Sequence, residues 1–319
     1  MARLRRVATG LLAVFLLVAC GGVSSSLPTS PTTSSGSPTS SSSGPLAGIG
    51  AVEVIAQGPP FLELEGPQWV QADGVLLFSD ASADTIYQLD ADDEVSVFRT
   101  PSHFSNGLAV NRKGRLIIAE SGTRKITLLE GDGTVTALAE SFEGARLNQP
   151  NDLVIRSDGT VYFTDPAFGG AVATAELDFR GVFRISPDGD LIAEHRGDTE
   201  QAPNGVALSP DESLLYLAQY SADEIWAFDV AADGSLSDAR TFVATGNGPD
   251  GLAVDQAGNV FVATIEGIEV FTPDGTAAGV IEVPLTPSNC AFGGTDGRTL
   301  FITARDGLYR VLLPAPGLY

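Results

Sequence analysis

Through most of the chain, apolar residues come in short runs separated by turn residues. "VLLFSD" (75–80), "RLIIAE" (115–120), "VYFTD" (161–165), "LLYLAQ" (214–219), "VFVAT" (260–264) and "LFITA" (300–304) are such runs. They are too short for buried helices and rich in β-branched and aromatic residues, so each predicts a strand. A turn precedes each one: Asp73-Gly74, Lys113-Gly114, Asp158-Gly159, Asp211-Glu212, Ala257-Gly258 and Asp296-Gly297. Ahead of every turn lies another apolar run, opened by a polar residue. The openings are Glu65 in "EGPQWV", Asn106 in "NGLAV", Asn151 in "NDLVI", Asn204 in "NGVAL", Asp250 in "DGLAV" and Asn289 in "NCAF". Pro stands directly before the residues at 151, 204 and 250. Most units continue into a third run, such as "TIYQLD", "KITLL", "GVFRIS", "EIWAFDV" or "GIEVF".

The opening residues are 41, 45, 53, 46 and 39 positions apart. Self-similarity at 40–50 residues with about four short strands per unit is the mark of a β-propeller. The fold class is therefore all-β, with six units giving six blades over residues 49–319. The final unit, from Asn289 to Leu313, is too short to contain its outer strand. The run "AVEVIA" at 51–56 has no partner in its own surroundings. It is expected to complete the last blade and close the ring, which leaves no long open edge.

In a propeller the first strand of each blade lies nearest the central channel, so a residue repeated at its start is repeated at the channel mouth. Glu65, Asn106, Asn151, Asn204, Asp250 and Asn289 would converge there. Two carboxylates and four amides are hard oxygen donors, suited to Ca²⁺ or another hard divalent ion such as Mg²⁺ or Mn²⁺. Asn, Asp and Gly also favour tight turns, and a repeat copies its turns, so a turn role stands beside the ligand role at each position. Glu65 fits the turn role poorly.

Composition changes the picture mainly at the N-terminus. Arg3, Arg5 and Arg6 precede a short apolar stretch, Leu11 to Val18, that ends in Leu17-Val18-Ala19-Cys20. The stretch is too short to span a bilayer and resembles a bacterial lipoprotein signal with its lipobox. Residues 1–20 are therefore expected to be a signal peptide, with Cys20 lipidated, and the protein is expected to be anchored in the cell envelope outside the cytoplasm. Residues 21–48, of Ser, Thr, Pro and Gly, cannot build a core and read as a disordered tether. The formal charge of −22 opposes any nucleic-acid partner. Cys290 is the only other cysteine, so the mature domain has no intrachain disulfide to form. A monomer is expected.

No Gly-x-Ser-x-Gly, His-Glu-x-x-His or Walker sequence is present, and two histidines, His103 and His195, cannot make a multi-histidine zinc site. His195 reads as a surface residue and His103 as a rim or loop residue. Cys290 reads as a buried, inert thiol. Asp80, Glu120 and Asp165 end second strands and either line the pocket or serve as strand-end polar groups. Arg146, just ahead of Asn151 in a segment without strand pattern, is placed to orient a substrate oxygen. Phe168 and the long 166–180 segment would form a lid, since long loops often carry function.

The stretches "LEGPQWV", "SNGLAVNRKGRLIIAES", "FEGARLNQPNDLVIRSDGTVYFTDPAFG", "ELDFRGVFRISPDG", "APNGVALSPDESLLYLA" and "PDGLAVD" together resemble the gluconolactonase/regucalcin (senescence marker protein) family. The resemblance runs over nearly all of 60–313. It implies a six-bladed propeller with one divalent cation in the channel, held by Glu65, Asn151 and Asp250, with Asn204 also facing it. Ca²⁺ is the expected ion, with Mn²⁺, Mg²⁺ or Zn²⁺ as further candidates. Asn106 is similar to a substrate-contacting residue of that family, and the implied reaction is hydrolysis of a small, sugar-type lactone. Asp250 is the carboxylate expected to act as general base. Two departures fall on the substrate side: Ser121 where bacterial members often have His, and Ala145 where "EGKR" is usual. The competing readings are a phosphotriesterase-type hydrolase on the same metal site and a non-enzymatic propeller binding a ligand or protein at the cell surface.

Overall fold

The computed structural model describes residues 44–318. The signal segment, Cys20 and residues 21–43 of the expected tether lie outside the described residues. Six four-stranded antiparallel sheets follow one another around a ring, as the repeat predicts. The inner strands of blades 1 to 6 are Leu64–Val70, Ser105–Val110, Leu153–Ile155, Pro203–Leu208, Leu252–Val254 and Asn289–Gly293.

The sixth sheet is completed by Glu53–Gln57, paired antiparallel with Gly307–Leu312 through Glu53↔Arg310 and Gln57↔Gly307. The two ends of the domain therefore share one blade. Part of the segment read as tether belongs to the folded domain. Residues 44–48, counted above in the tether, form a turn in which Ala47 N donates to Gly44 O at 2.9 Å. Leu46 packs with Ile49 and Val52 against the core of the last blade. One leucine among small and polar residues is enough to dock this segment, because an apolar edge lies beside it.

There is no central core. Six apolar clusters lie instead at the six blade boundaries. Between blades 1 and 2, for example, Val70, Leu77 and Ile86 pack on Leu108, Leu116 and Ile118. Between blades 6 and 1, the Trp69 indole stacks on Phe301 with centroids 5.8 Å apart. This follows from the strand pattern: the sheets are buried on both faces, so the second strands read as continuous apolar runs. Cys290 is buried at the boundary of blades 5 and 6, and burial pushes its thiol well above the ordinary range, which makes it inert.

Glycine after the opening polar residue has a packing reason. Gly107 N donates to Asn151 O at 2.7 Å, Gly205 N to Asp250 O at 3.1 Å and Gly251 N to Ser288 O at 2.8 Å. Each bond joins the mouth of one inner strand directly to the next blade. A Cβ on Gly205 would collide with the Asp250 carbonyl, and one on Gly107 would stand 2.6 Å from Asp152 Oδ1. The ring can be this tight at the channel only where the side chain is a hydrogen atom.

Candidate metal centre and active site

Glu65, Asn106, Asn151, Asn204 and Asp250 line one cavity of about 570 Å³ at the face where the inner strands begin. Glu65, Asn151 and Asn204 are buried, and Asn106 and Asp250 half-buried. Five of the six repeated residues therefore converge as the repeat predicts.

Asn289 does not join them. The blade-6 residue that accepts the inter-blade bond, as Asn151 and Asp250 do in theirs, is Ser288, and it is Ser288 that lines the cavity. Asn289 is one residue further on, in the glycine position of the other blades. A shift of one residue along a strand sends the side chain to the opposite side. Asn289 accordingly lines a second cavity, of about 420 Å³, which runs up the channel from the other face. Asp152 occupies the same position in blade 3, diametrically across the ring, and lines the same lower cavity. The Asp152 carboxylate accepts Leu153 N at 2.9 Å and Val206 N at 3.2 Å, and the nearby Asn289 amide helps to hold its proton affinity down. No residue lines both cavities. Asp152 and Asn289 both belong to the lower cavity, on opposite sides of the ring.

The electrostatics of the upper site follow from burial of like charges. Desolvation raises Glu65 well above the carboxylate range, and the charges of Asp250, Asp152 and Glu63 raise it further. Asp250 is pushed up to about 8, first by desolvation and then by Asp152, against a hydrogen bond from Asn204 and the positive charge of Arg305. Asp152 is raised to about 6, chiefly by desolvation. Carboxylates concentrated in this way do not all ionise unless a cation joins them. The donor set fits a hard divalent ion: carboxylates from Glu65 and Asp250, amide oxygens from Asn151 and Asn204. Among the described residues no group of three or more His, Cys, Asp or Glu gathers as a metal cluster, so any cation here depends on the amides as well.

Arg146 is not brought to the cavity. It lies exposed on a two-residue hairpin, Ser141–Phe142 with Ala145–Arg146, where its guanidinium donates to Thr123 O at 3.2 Å and its backbone N to Glu176 Oε2 at 2.9 Å. The hairpin turns the segment outward before it enters blade 3. The cation on the cavity wall is Arg305, the residue after the second strand of blade 6, just as Tyr220 and Ile265 follow the second strands of blades 4 and 5.

The acids ending second strands do not line the cavity. Asp80 accepts Leu62 N at 2.9 Å and Glu63 N at 3.1 Å. Asp165 accepts Asn148 N and Gln149 N, each at 2.8 Å, while burial raises its pKa to about 7. In blade 4 Gln219 plays this part, accepting Ala202 N at 2.7 Å. These groups hold the segments that lead into Glu65, Asn151 and Asn204, so they position the site without touching its contents. Glu120 pairs with Arg99 at 3.1 Å and accepts from Thr127 at 3.0 Å. His103 stays behind the rim, and its carbonyl accepts Gly122 N at 3.0 Å. His195 is half-buried, not a surface residue: it meets Gln201 Oε1 at 3.1 Å and packs edge-on to Trp226, because the outer strand of blade 3 leans on blade 4. Phe168, expected in a lid, lines the cavity wall.

The model of the SMP-30/Gluconolactonase/LRE-like region matches residues 64–306. A gluconolactonase from Zymomonas mobilis subsp. mobilis is 36% identical over 292 residues, covering 82% of this chain and 80% of that protein. A 6-deoxy-6-sulfogluconolactonase from Pseudomonas putida is 30% identical over 251 residues, with coverage of 75% and 82%. Among solved structures, a gluconolactonase from Xanthomonas campestris superposes with a TM-score of 0.78 at 35% identity, over 85% of this chain and 91% of its own.

Proposed function

Because the chain belongs to the SMP-30/gluconolactonase/LRE-like family, we propose that it is a hydrolase that opens lactone rings in the upper cavity. The observation that carries the reading is the pair Glu65 and Asp250, carboxylates lining one cavity, both raised by desolvation and Glu65 further by the charge of Asp250, beside the amides of Asn151 and Asn204. That set would hold one divalent cation, with Ca²⁺ the best match to all-oxygen donors. A bound cation supplies Lewis-acid polarisation of the lactone carbonyl and stabilises the negative charge that develops on its oxygen.

The chain's own residues do the rest. Asp250, on the half-exposed wall, takes a proton from the attacking water as the new C–O bond forms at the carbonyl carbon. The acyl–oxygen bond of the ring then breaks, and the proton is returned to the departing ring oxygen, giving a hydroxy acid. Glu65, buried at the base, would hold the cation with its carboxylate. Asn106 faces the cavity with an amide able to bond ring substituents. The positive charge of Arg305 favours the ionised form of Asp250, as a base requires.

The test is hydrolysis of δ-gluconolactone and δ-valerolactone by the purified domain, followed by proton release, with Ca²⁺ and after chelation. Calcium-dependent turnover of either supports the reading. Hydrolysis of phosphotriesters with no lactone turnover would replace it.

For location, we propose that Cys20 is lipidated and holds the domain at the envelope surface, on the strength of the Leu17–Cys20 sequence. Cys20→Ser should release the protein from washed membranes; retention would refute the anchor.

A further inference from the structure

The rim of the upper cavity is divided. Blades 2 to 5 contribute Phe104, Phe168, Tyr220 and Ile265 in succession, while blades 6 and 1 contribute Arg305 and Glu63. Phe104, Tyr220 and Ile265 are 50%, 44% and 56% exposed, unusual for large apolar side chains that line a concave site.

Phe104 is held there at a cost. It and His103 both have left-handed backbones, φ +55° and +63°, disfavoured for a bulky side chain. Asp84 Oδ1 stabilises the conformation by accepting Phe104 N at 2.8 Å. Gly122 makes room, since a Cβ there would stand 2.6 Å from the phenyl ring. Strain that presents an exposed ring to a cavity points to use of the ring. Tyr220 meets Phe168 edge-on at 6.0 Å, so the arc is continuous across blades 3 and 4.

Aromatic rings also line sugar sites, where neighbouring polar groups bond the hydroxyls. Here two polar groups on the same wall are partly engaged by the protein. The Ser121 hydroxyl donates to Pro150 O at 2.7 Å, and the Gln149 carbonyl oxygen accepts Phe168 N at 2.7 Å. Glu63, on the charged side, accepts from Ser82 at 2.6 Å.

From this juxtaposition of an apolar arc with a polar cation-binding floor, we propose that the preferred substrate is a lactone bearing an alkyl or aryl arm, the ring seated on the floor and the arm along Phe104, Phe168, Tyr220 and Ile265. The proposal rests on the lactonase reading and narrows its substrate. Methylene groups in an apolar pocket raise kcat/KM through burial.

The experiment compares three δ-lactones with the same reacting ring: unsubstituted δ-valerolactone, alkyl-armed δ-decanolactone and polyhydroxylated δ-gluconolactone. δ-Decanolactone should exceed δ-gluconolactone in kcat/KM by at least about tenfold. Tyr220→Ser and Ile265→Ser should abolish that advantage by raising KM for the armed substrate at least about tenfold more than for δ-valerolactone. A preference for δ-gluconolactone, or an armed-substrate KM indifferent to both substitutions, overturns the proposal while leaving the lactonase reading intact. Turnover of none of the three overturns the lactonase reading itself.

Discussion

The backbone N–H of Gly205 donates to the carbonyl oxygen of Asp250 at 3.1 Å, so the residue proposed as general base is positioned by a bond from the neighbouring blade. A methyl group on Gly205 would collide with that oxygen. Gly205→Ala should therefore lower the unfolding free energy by about 1–3 kcal/mol, as overpacking does. It should also weaken calcium binding. Urea denaturation and calcium titration check both effects. Gly131→Ala, where an added Cβ meets nothing within 4 Å, is the control and should change neither.

The two carboxylates should separate kinetically. Asp250→Asn keeps the shape and one oxygen but removes the base, so kcat should fall about 10²–10⁴-fold. Glu65→Gln removes a charge from the buried base of the site. Its activity should fall through calcium affinity and recover in excess Ca²⁺. Steady-state rates across a calcium series distinguish them: the Asp250 variant stays slow at saturation.

Cation removal should expose a pH dependence of stability. In the cation-free protein, burial and the charges of neighbouring carboxylates raise Glu65 well above its ordinary value and Asp250 to about 8. Acids whose pKa is raised by folding stabilise the fold while protonated, and that contribution is lost as pH climbs toward the folded value. Thermal melts of the chelated protein should therefore shift downward from pH 5 to pH 9. Ca²⁺ should flatten the trend and bind more tightly as pH rises, because it displaces the protons. A chelated protein whose melting temperature rises across this range would contradict the assignment.

Ring closure is open to deletion. Glu53–Gln57 supplies the outer strand of blade 6, and Leu46, Ile49 and Val52 cover its apolar edge. Removing residues 49–57 should expose the Gly307–Leu312 edge, lower the melting temperature and produce aggregates detectable by light scattering.

The blade count was legible because each unit repeats the same sterically required elements: a turn before the second strand and, in four units, a glycine where two blades touch. The site was legible where a polar residue and that glycine kept register. It failed in blade 6, where Asn289 stands in the glycine's place and its side chain therefore points down. A signal was present: Pro287 precedes Ser288 as Pro150, Pro203 and Pro249 precede Asn151, Asn204 and Asp250. Arg305 was not legible, since the place after the second strand repeats but its residue type does not: Ser121, Tyr220 and Ile265 stand there in other blades. Arg146 misled because a hairpin of two-residue strands leaves no period in the sequence, yet it swings the guanidinium outward. The dual role considered for Asp80 and Asp165 resolved only with coordinates, since a carboxylate that grips backbone N–H groups looks in sequence like one that lines a pocket.

The upper and lower cavities share no lining residue, and that separation has a bearing on turnover. A lactone and the hydroxy acid it opens to would both use the mouth of the upper cavity, between the apolar arc and the side that carries Glu63 and Arg305. The acid leaves as an anion, and an anion would be drawn to the same cation that polarises the next ring. Accumulated product should therefore compete with fresh lactone for one place.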